Sequence, residues 1–467
     1  MHVPGSRTTY VYQVINTSHI CNTRPINIPT KMAASTPVIQ VLSRQNYEEQ
    51  HIVSLPNALP LPSLAPNSIR VTSSILALST NNLTYARLGH LLGWWNFYPL
   101  PSSIPSEFSD PAAYGRISAW GFGTVVESTT AIKPGTEVYG YLPIGTLPVD
   151  MRVEIDSEVP GMFIETSHHR AKLMAVYNRY FLEAPAVTTQ EKEVQKQSQG
   201  YDAIGRVLHE TAYMMNRFAF GWHPEEIAHP AGASGGEWSI EKANLAGATV
   251  LIFSASGKTA ISFAYQLKHG RPEDAKPEMV IAVGSKHSKT FTENTDLFGR
   301  VLDYDYDTLS GIALGQYLGL RTESKVVIFD FGARGSAAMR WSTHLKQDYT
   351  NVHYIAVGGE VVPLSPQETI ARFTAAAQSG MVDARVNASD LRDSGIKAIG
   401  KKAFFEGAAK DWKQYKAKGM AKGSTLIWGE GMEDLGKGWD KLCKGEVAAG
   451  EGLVFSLVSN KPHYPKL

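Results

Sequence analysis

Cysteine is scarce: the 467 residues contain only Cys21 and Cys443, and neither belongs to a C-x-x-C pair. A disulfide framework and a four-thiolate zinc cluster are thereby excluded, and a reducing, cytoplasmic setting is the default expectation. An excess of either charge is also missing, since 45 Lys and Arg face 44 Asp and Glu for a formal net charge of +1. Nothing in that balance draws the chain to nucleic acid or to an anionic membrane, and neither is expected as a partner. No apolar run approaches the roughly 20 residues that span a bilayer. H-E-x-x-H does not occur among the fourteen histidines, and His168 and His169, being adjacent, would point apart on a strand. No metal is expected.

Acid is absent from residues 1–47, where Arg7, Arg24, Lys31 and Arg44 stand among Ser, Thr and Asn. One reading is an organellar transit peptide; the other takes Met32 as the natural start. Low arginine density and the lack of an amphipathic period favour the second. Either way, residues 1–35 are set apart from the fold as a disordered or leader segment.

From Ile69 to Tyr141, short β-branched runs are separated by Gly, Pro, Ser and Asn, with IRVTSSILAL, WGFGTVVEST and TEVYGYLPI as the clearest strands. Ala131 to Gly135 reads as a Pro-Gly turn between the last two, and the section as a compact β barrel. Ile204, Val207, Leu208, Thr211, Met214, Met215 and Phe218 then recur at three- and four-residue spacing, the mark of one amphipathic helix. After a polar connection the chain alternates TVLIFS, MVIAV, RVLDY, KVVIFDF and VHYIAV with helical segments, which predicts a doubly wound parallel α/β sheet. Helices are expected over ETIARFTAAAQSGMV, AFFEGAAKDWKQYKAK and Gly436 to Gly445, and a last strand over GLVFSLV.

The turn that ends the first of the five strands carries the chemistry. Ser254, Ala255, Ser256 and Gly257 are small enough for backbone amides to approach a pyrophosphate, and the following helix offers its N-terminal N–H groups and positive dipole end. Only one of the three glycines of G-x-G-x-x-G is present, so a plain strand-to-helix turn is the competing reading. A P-loop is excluded, because Ile252 stands where its first glycine belongs.

In their order these parts resemble the medium-chain dehydrogenase/reductase superfamily, and within it the zinc-free quinone and enoyl reductases, over about residues 60–460. WGFGTVVESTTAIKPGTEVYGYLP is similar to the end of that family's barrel, LHETAYMM to its G-L-T-A-Y helix, SASGKTA to its cofactor corner, and WDKLCKGEVAAGEGLVFSL to its closing helix and strand. NNLTYARLG, HHRAKLMAVYNRYF and YDYD resemble a branch found in fungi and bacteria that has no established reaction. The resemblance implies a GroES-like catalytic barrel over residues 36–195, a Rossmann NADP-binding domain over 196–372 and a return to the catalytic domain over 373–467. It also implies NADP(H) as cofactor, a small apolar unsaturated carbonyl compound or quinone as substrate, and a homodimer. The ligands of the zinc-dependent members have no counterpart, so polarising the substrate falls to hydrogen-bond donors. A non-redox isomerase, cyclase or lyase holding NADP structurally, and a non-catalytic nucleotide-binding protein, stand as alternatives.

Carried onto this chain, the resemblance places Ser254, Ser256, Gly257, Lys258 and Thr259 at the pyrophosphate. Ser285 and Lys286, a hydroxyl and a cation where an NAD enzyme keeps an acid, suit the extra phosphate of NADP. Tyr304 matches a tyrosine near the adenosine phosphate, and Gly332 and Gly358 let backbone pass close to the nicotinamide. Tyr85 is expected to donate a proton or anchor substrate, helped by Asn82 and by Thr211 on the nicotinamide side. Asn81, Trp94, Trp95, His169 and Tyr177 are expected to line the pocket, with Arg170 and Asn178 as further candidates. For each, packing or an ordinary turn is the alternative.

Overall fold

The computed structural model describes residues 36–184, 188–360, 362, 364–378, 380–418 and 423–457. The leader expectation, with Cys21 and Met32, lies outside the described residues. Where β-branched and aromatic residues dominate, the backbone is extended: β1 Val38–Ser43, β2 Gln50–Ser54, β3 Ser68–Leu78, then helix α1 Thr80–Leu92, β4 Tyr114–Gly115, β5 Ser118–Ser128, β6 Glu137–Pro143, β7 Val149–Ile155, β8 Met162–Glu165 and β9 Arg179–Glu183. Strands β3, β5, β6, β9, β8 and β7 pair in that order, and β7 pairs back onto β3. The result is a closed antiparallel barrel.

Gly121 of the WGFG run is a constraint on that closure. A Cβ there would lie 2.0 Å from the Ile75 carbonyl oxygen, where β3 bulges between Ser73 and Ile75. Only a residue without a side chain lets β3 and β5 approach so closely.

The second half follows as α2 Thr189–Tyr201, α3 Val207–Met214, α4 Ile240–Ala243, β10 Thr249–Phe253, α5 Lys258–His269, β11 Met279–Gly284, α6 Lys289–Asn294, β12 Arg300–Asp303, α7 Gly311–Leu318, β13 Val326–Asp330, α8 Ala337–Asp348, β14 Val352–Ala356, α9 Pro366–Gln378 and β15 Ala384–Arg385. The parallel sheet runs β12-β11-β10-β13-β14-β15, so β10 is central and the winding reverses between β10 and β13. Its strands are apolar throughout because both faces are covered. Val250 and Ile252 pack on one side with α3, α5 and α11 (Lys401–Ala417), while Leu251 and Phe253 pack on the other with α7 and α8. Between α9 and α11 lies α10 Ala388–Ile399, and the chain closes with β16 Thr425–Glu430, α12 Gly431–Cys443 and β17 Glu451–Ser456. Strand β17 pairs antiparallel with β3, tying the end of the chain back to the barrel.

The five predicted strands are β10 to β14, and the structure adds β15, whose two residues carry too little apolar pattern to be recognised. Three expectations are corrected. His168 and His169 lie in a 3-10 turn, His168–Arg170, not on a strand. The single helix over Tyr201–Phe218 is interrupted by π-helical turns at Asp202–Arg206 and Met215–Ala219, since three- and four-residue spacing does not register one inserted residue. The last helix begins at Gly431 instead of Gly436. Among the described residues no helix is long and apolar enough to cross a membrane. Gly121→Ala is expected to lower unfolding free energy by about 3 kcal/mol or more, read as a fall in urea midpoint at unchanged slope.

Candidate functional site

The cradle forms where β10 ends. Ser254 takes the left-handed conformation, φ 56, that favours glycine, and Ala255 is buried behind it. Gly257 is the N-cap of α5 and provides no side-chain cap, whereas α1, α2, α7 and α10 are each capped by a Ser, Thr or Asn side chain. The first N–H groups of this twelve-residue helix therefore have no side-chain cap, directly after the half-buried Ser254 and Ser256. This is the arrangement that an oxyanion satisfies.

Tyr304 begins the turn after β12, stacks on Phe253 with ring centroids 6.4 Å apart, and brings its hydroxyl to the Ser254 side chain. Burial raises its pKa. Ser285 and Lys286 follow β11 as expected, but Lys286 Nζ lies 2.5 Å from an Asp305 carboxylate oxygen, with both side chains about two-thirds exposed (69% and 67%). The position thus has an acid after all, supplied by the neighbouring strand end, and the hydrogen bond to Asp305 raises the lysine pKa.

Lys258 is placed differently from the expectation. Its Nζ donates to the Glu451 carbonyl at 2.7 Å, at the start of β17, so its partner is a backbone oxygen and not the cradle. Thr259, next along α5, is half-buried. Gly332 and Gly358 serve each other's loops. A Cβ on Gly332 would meet the Gly359 carbonyl at 2.7 Å, and one on Gly358 the Phe331 carbonyl at 2.7 Å. Asp330 fixes this crossing by accepting from the Gly332 and Ala333 amides at 2.8 and 2.7 Å and from the Tyr354 hydroxyl at 2.6 Å.

On the barrel side, Ser79 caps α1 and the Asn82 carboxamide completes the capping box, while its Nδ2 donates to the Ser118 carbonyl at 3.1 Å. Both ends of Asn82 are therefore occupied by backbone. Asn81 and Trp120 both donate to the Tyr85 hydroxyl, at 2.6 and 2.9 Å. Tyr85 is 2% exposed, and burial raises its pKa well above the usual range. Trp94 and Tyr177 pack on it with centroids at 4.7 and 5.8 Å.

Asn81, Tyr85, Trp94 and Tyr177 are thus brought together, and others are not. Trp95 fills the space over Gly89 and Gly115 beneath Arg44. His169 is exposed and faces the Phe97 carbonyl. Arg170 is buried, paired with Glu165 at 3.1 Å and lying over Tyr98, while Asn178 donates to the Arg170 carbonyl. Thr211 donates to the Val207 carbonyl at 3.2 Å. Two residues join the site without a local signal in the sequence: Trp120 of the WGFG run, and Arg87, within NNLTYARLG, which donates to the Glu360 carbonyl in the loop after β14. That contact joins barrel helix to sheet.

Among the described residues no group of three or more His, Cys, Asp or Glu is placed to hold a metal. A closed barrel joined to a parallel sheet with its winding reversal beside the cradle is the architecture of a GroES-like barrel plus a Rossmann sheet. Residues 76–448 match the family described as protein of unknown function DUF2855, and the chain belongs to that family. No curated protein matches. CurA from Vibrio vulnificus in complex with NADPH is similar at 13% identity and TM-score 0.51, over 91% of this chain and 99% of that one. The Etr1p/NADP/crotonyl-CoA complex is similar at 12% identity and TM-score 0.51, over 91% and 100%. A mutant form of enoyl thioester reductase from Candida tropicalis is similar at 11% identity and TM-score 0.50, over 91% and 100%. At such identities the likeness is one of fold.

Burial lowers the Lys258 pKa from 10.5 to about 8. Because the folded value lies below the unfolded one, the unfolded chain binds more protons between these pH values, and stability rises with pH across the window. The wild type is therefore expected to gain melting temperature relative to Lys258→Met as pH rises from about 8 to about 10; a difference that stays constant with pH contradicts the assignment.

Proposed function

We propose that the protein is an NADP(H)-dependent, zinc-independent oxidoreductase that reduces an activated C=C bond or quinone of a small substrate. The observation that carries this is the uncapped N-terminus of α5 behind a turn of small residues at the sheet's winding reversal, where doubly wound sheets bind nucleotides. The same fold in two structures that hold NADPH or NADP supports it. When bound, the cofactor supplies hydride to the electron-poor carbon of the substrate.

The chain's own residues have the remaining tasks. Amides at the start of α5 and the Ser254 and Ser256 hydroxyls hold the pyrophosphate, and Tyr304 fixes Ser254 from the side. Lys286 meets the extra ribose phosphate, a task that requires it to exchange Asp305 for the ligand. Tyr85 keeps its proton at working pH because it is buried; Asn81 and Trp120 donate to its oxygen and its own proton is directed at the Tyr177 hydroxyl, so offering that proton to a substrate requires the substrate to displace Tyr177 as acceptor. Tyr177 stands next to it. Asn82, by contrast, contributes by holding the start of α1.

The reading is tested by following NADPH absorbance with the purified chain against a panel of enones and quinones. Stoichiometric NADPH loss is expected, whereas product formed without loss supports a non-redox isomerase or lyase instead. For the cofactor, Lys286→Ala is expected to weaken NADPH roughly tenfold more than NADH; equal weakening of both contradicts the phosphate role.

A further inference from the structure

Between the barrel and the helical layer lies a narrow, partly open cavity. Barrel residues Trp120, Tyr139 and Phe181 form one side, and Arg206, Arg392 and Phe405 face them. The lining holds three arginines, Arg179, Arg206 and Arg392, and one acid, Glu210, while Glu183 outside it feels the charge of Arg206.

Arg206 sits on the π-helical turn, and its guanidinium lies between the rings of Tyr139 and Phe181, 4.6 Å from each centroid. Stacking satisfies both faces of the group but none of its N–H edge. Among the described residues it has no ion-pair or hydrogen-bond partner. Two more donors in the wall are unpaired. The Tyr139 hydroxyl, on a side chain only 2% exposed, is buried without a partner, and so is Arg179 Nη1, although Arg179 Nη2 reaches Asp393 at 3.1 Å. Glu210 does not answer them, because it is held by Arg392 at 2.8 Å. A buried donor without an acceptor costs about 1–3 kcal/mol. Two such donors, Tyr139 and Arg179, stand in one cavity wall beside the half-buried Arg206 guanidinium, whose N–H edge no protein acceptor takes.

The cavity also adjoins the candidate site. Trp120 donates directly to Tyr85, and Val207, which lines the cavity, accepts from Thr211. We propose that this cavity binds the carboxylate of a flat, conjugated organic acid, with Arg206 as its main ligand and Tyr139 and Arg179 as further donors. A carboxylate presents two oxygens to the in-plane N–H edge of a guanidinium, and the Trp120 and Phe405 rings, which Arg206 does not cover, suit a conjugated body. The role of that acid as substrate rests on the reductase reading; its binding does not.

The test is equilibrium titration of the full chain, with and without NADPH, using trans-cinnamate, its neutral isostere cinnamamide, and inorganic phosphate. Cinnamate is expected to bind at least about tenfold more tightly than the amide. Arg206→Gln erases that preference, Tyr139→Phe reduces it, and phosphate does not displace cinnamate. Equal binding of acid and amide by the wild type overturns the proposal even if Arg206→Gln fails to fold. A preference that survives Arg206→Gln overturns it, and so does displacement by phosphate. Loss of NADPH binding with the acid preference intact counts against the cofactor reading alone.

Discussion

The candidate site depends on the position of β10 at the centre of the parallel sheet. Both neighbours of β10 are hydrogen-bonded along its whole length, so the end of this strand is the best-fixed point in the sheet. The turn that follows has to leave a fully buried strand and enter a helix within four residues, 254–257. Ser254 meets that demand by adopting a left-handed backbone at a serine, a conformation that costs energy unless the surroundings hold it. Tyr304 and the packed Ala255 supply the hold.

The barrel side is organised by hydrogen bonds that must be satisfied in an apolar interior. Tyr85, Asn81 and Trp120 form such a set, and Asn82 another with Ser79 and Ser118. Arg87 and Lys258 then join barrel to sheet through carbonyls at Glu360 and Glu451. These contacts explain why residues on strands far apart in sequence meet at one cleft. They also separate the residues that hold the fold from those with a group left over for a ligand.

Much of the fold was legible in the sequence because its signals are periodic. Continuous apolar runs with small-residue turns can hardly be anything but buried parallel strands, and the barrel strands showed themselves by β-branched runs between Gly and Pro. What was not legible depends on tertiary pairing. The two-residue β15 has no pattern of its own, and a π-helical turn leaves the helical spacing nearly unchanged. For the site, small residues pointed to the cradle, but no local signal says that Lys258 will find a carbonyl on β17 or that Asp305 will sit beside Lys286. Arg206 is the strongest case. Its sandwich is assembled from β6, β9 and a helix, and its missing partner is visible only once they are packed.

The most direct test of the central claim is a crystal structure of the chain grown with NADPH. The account predicts the pyrophosphate within hydrogen-bond distance of the amides that begin α5 and of the Ser254 or Ser256 hydroxyl. A dinucleotide bound elsewhere, with the start of α5 bare, contradicts it.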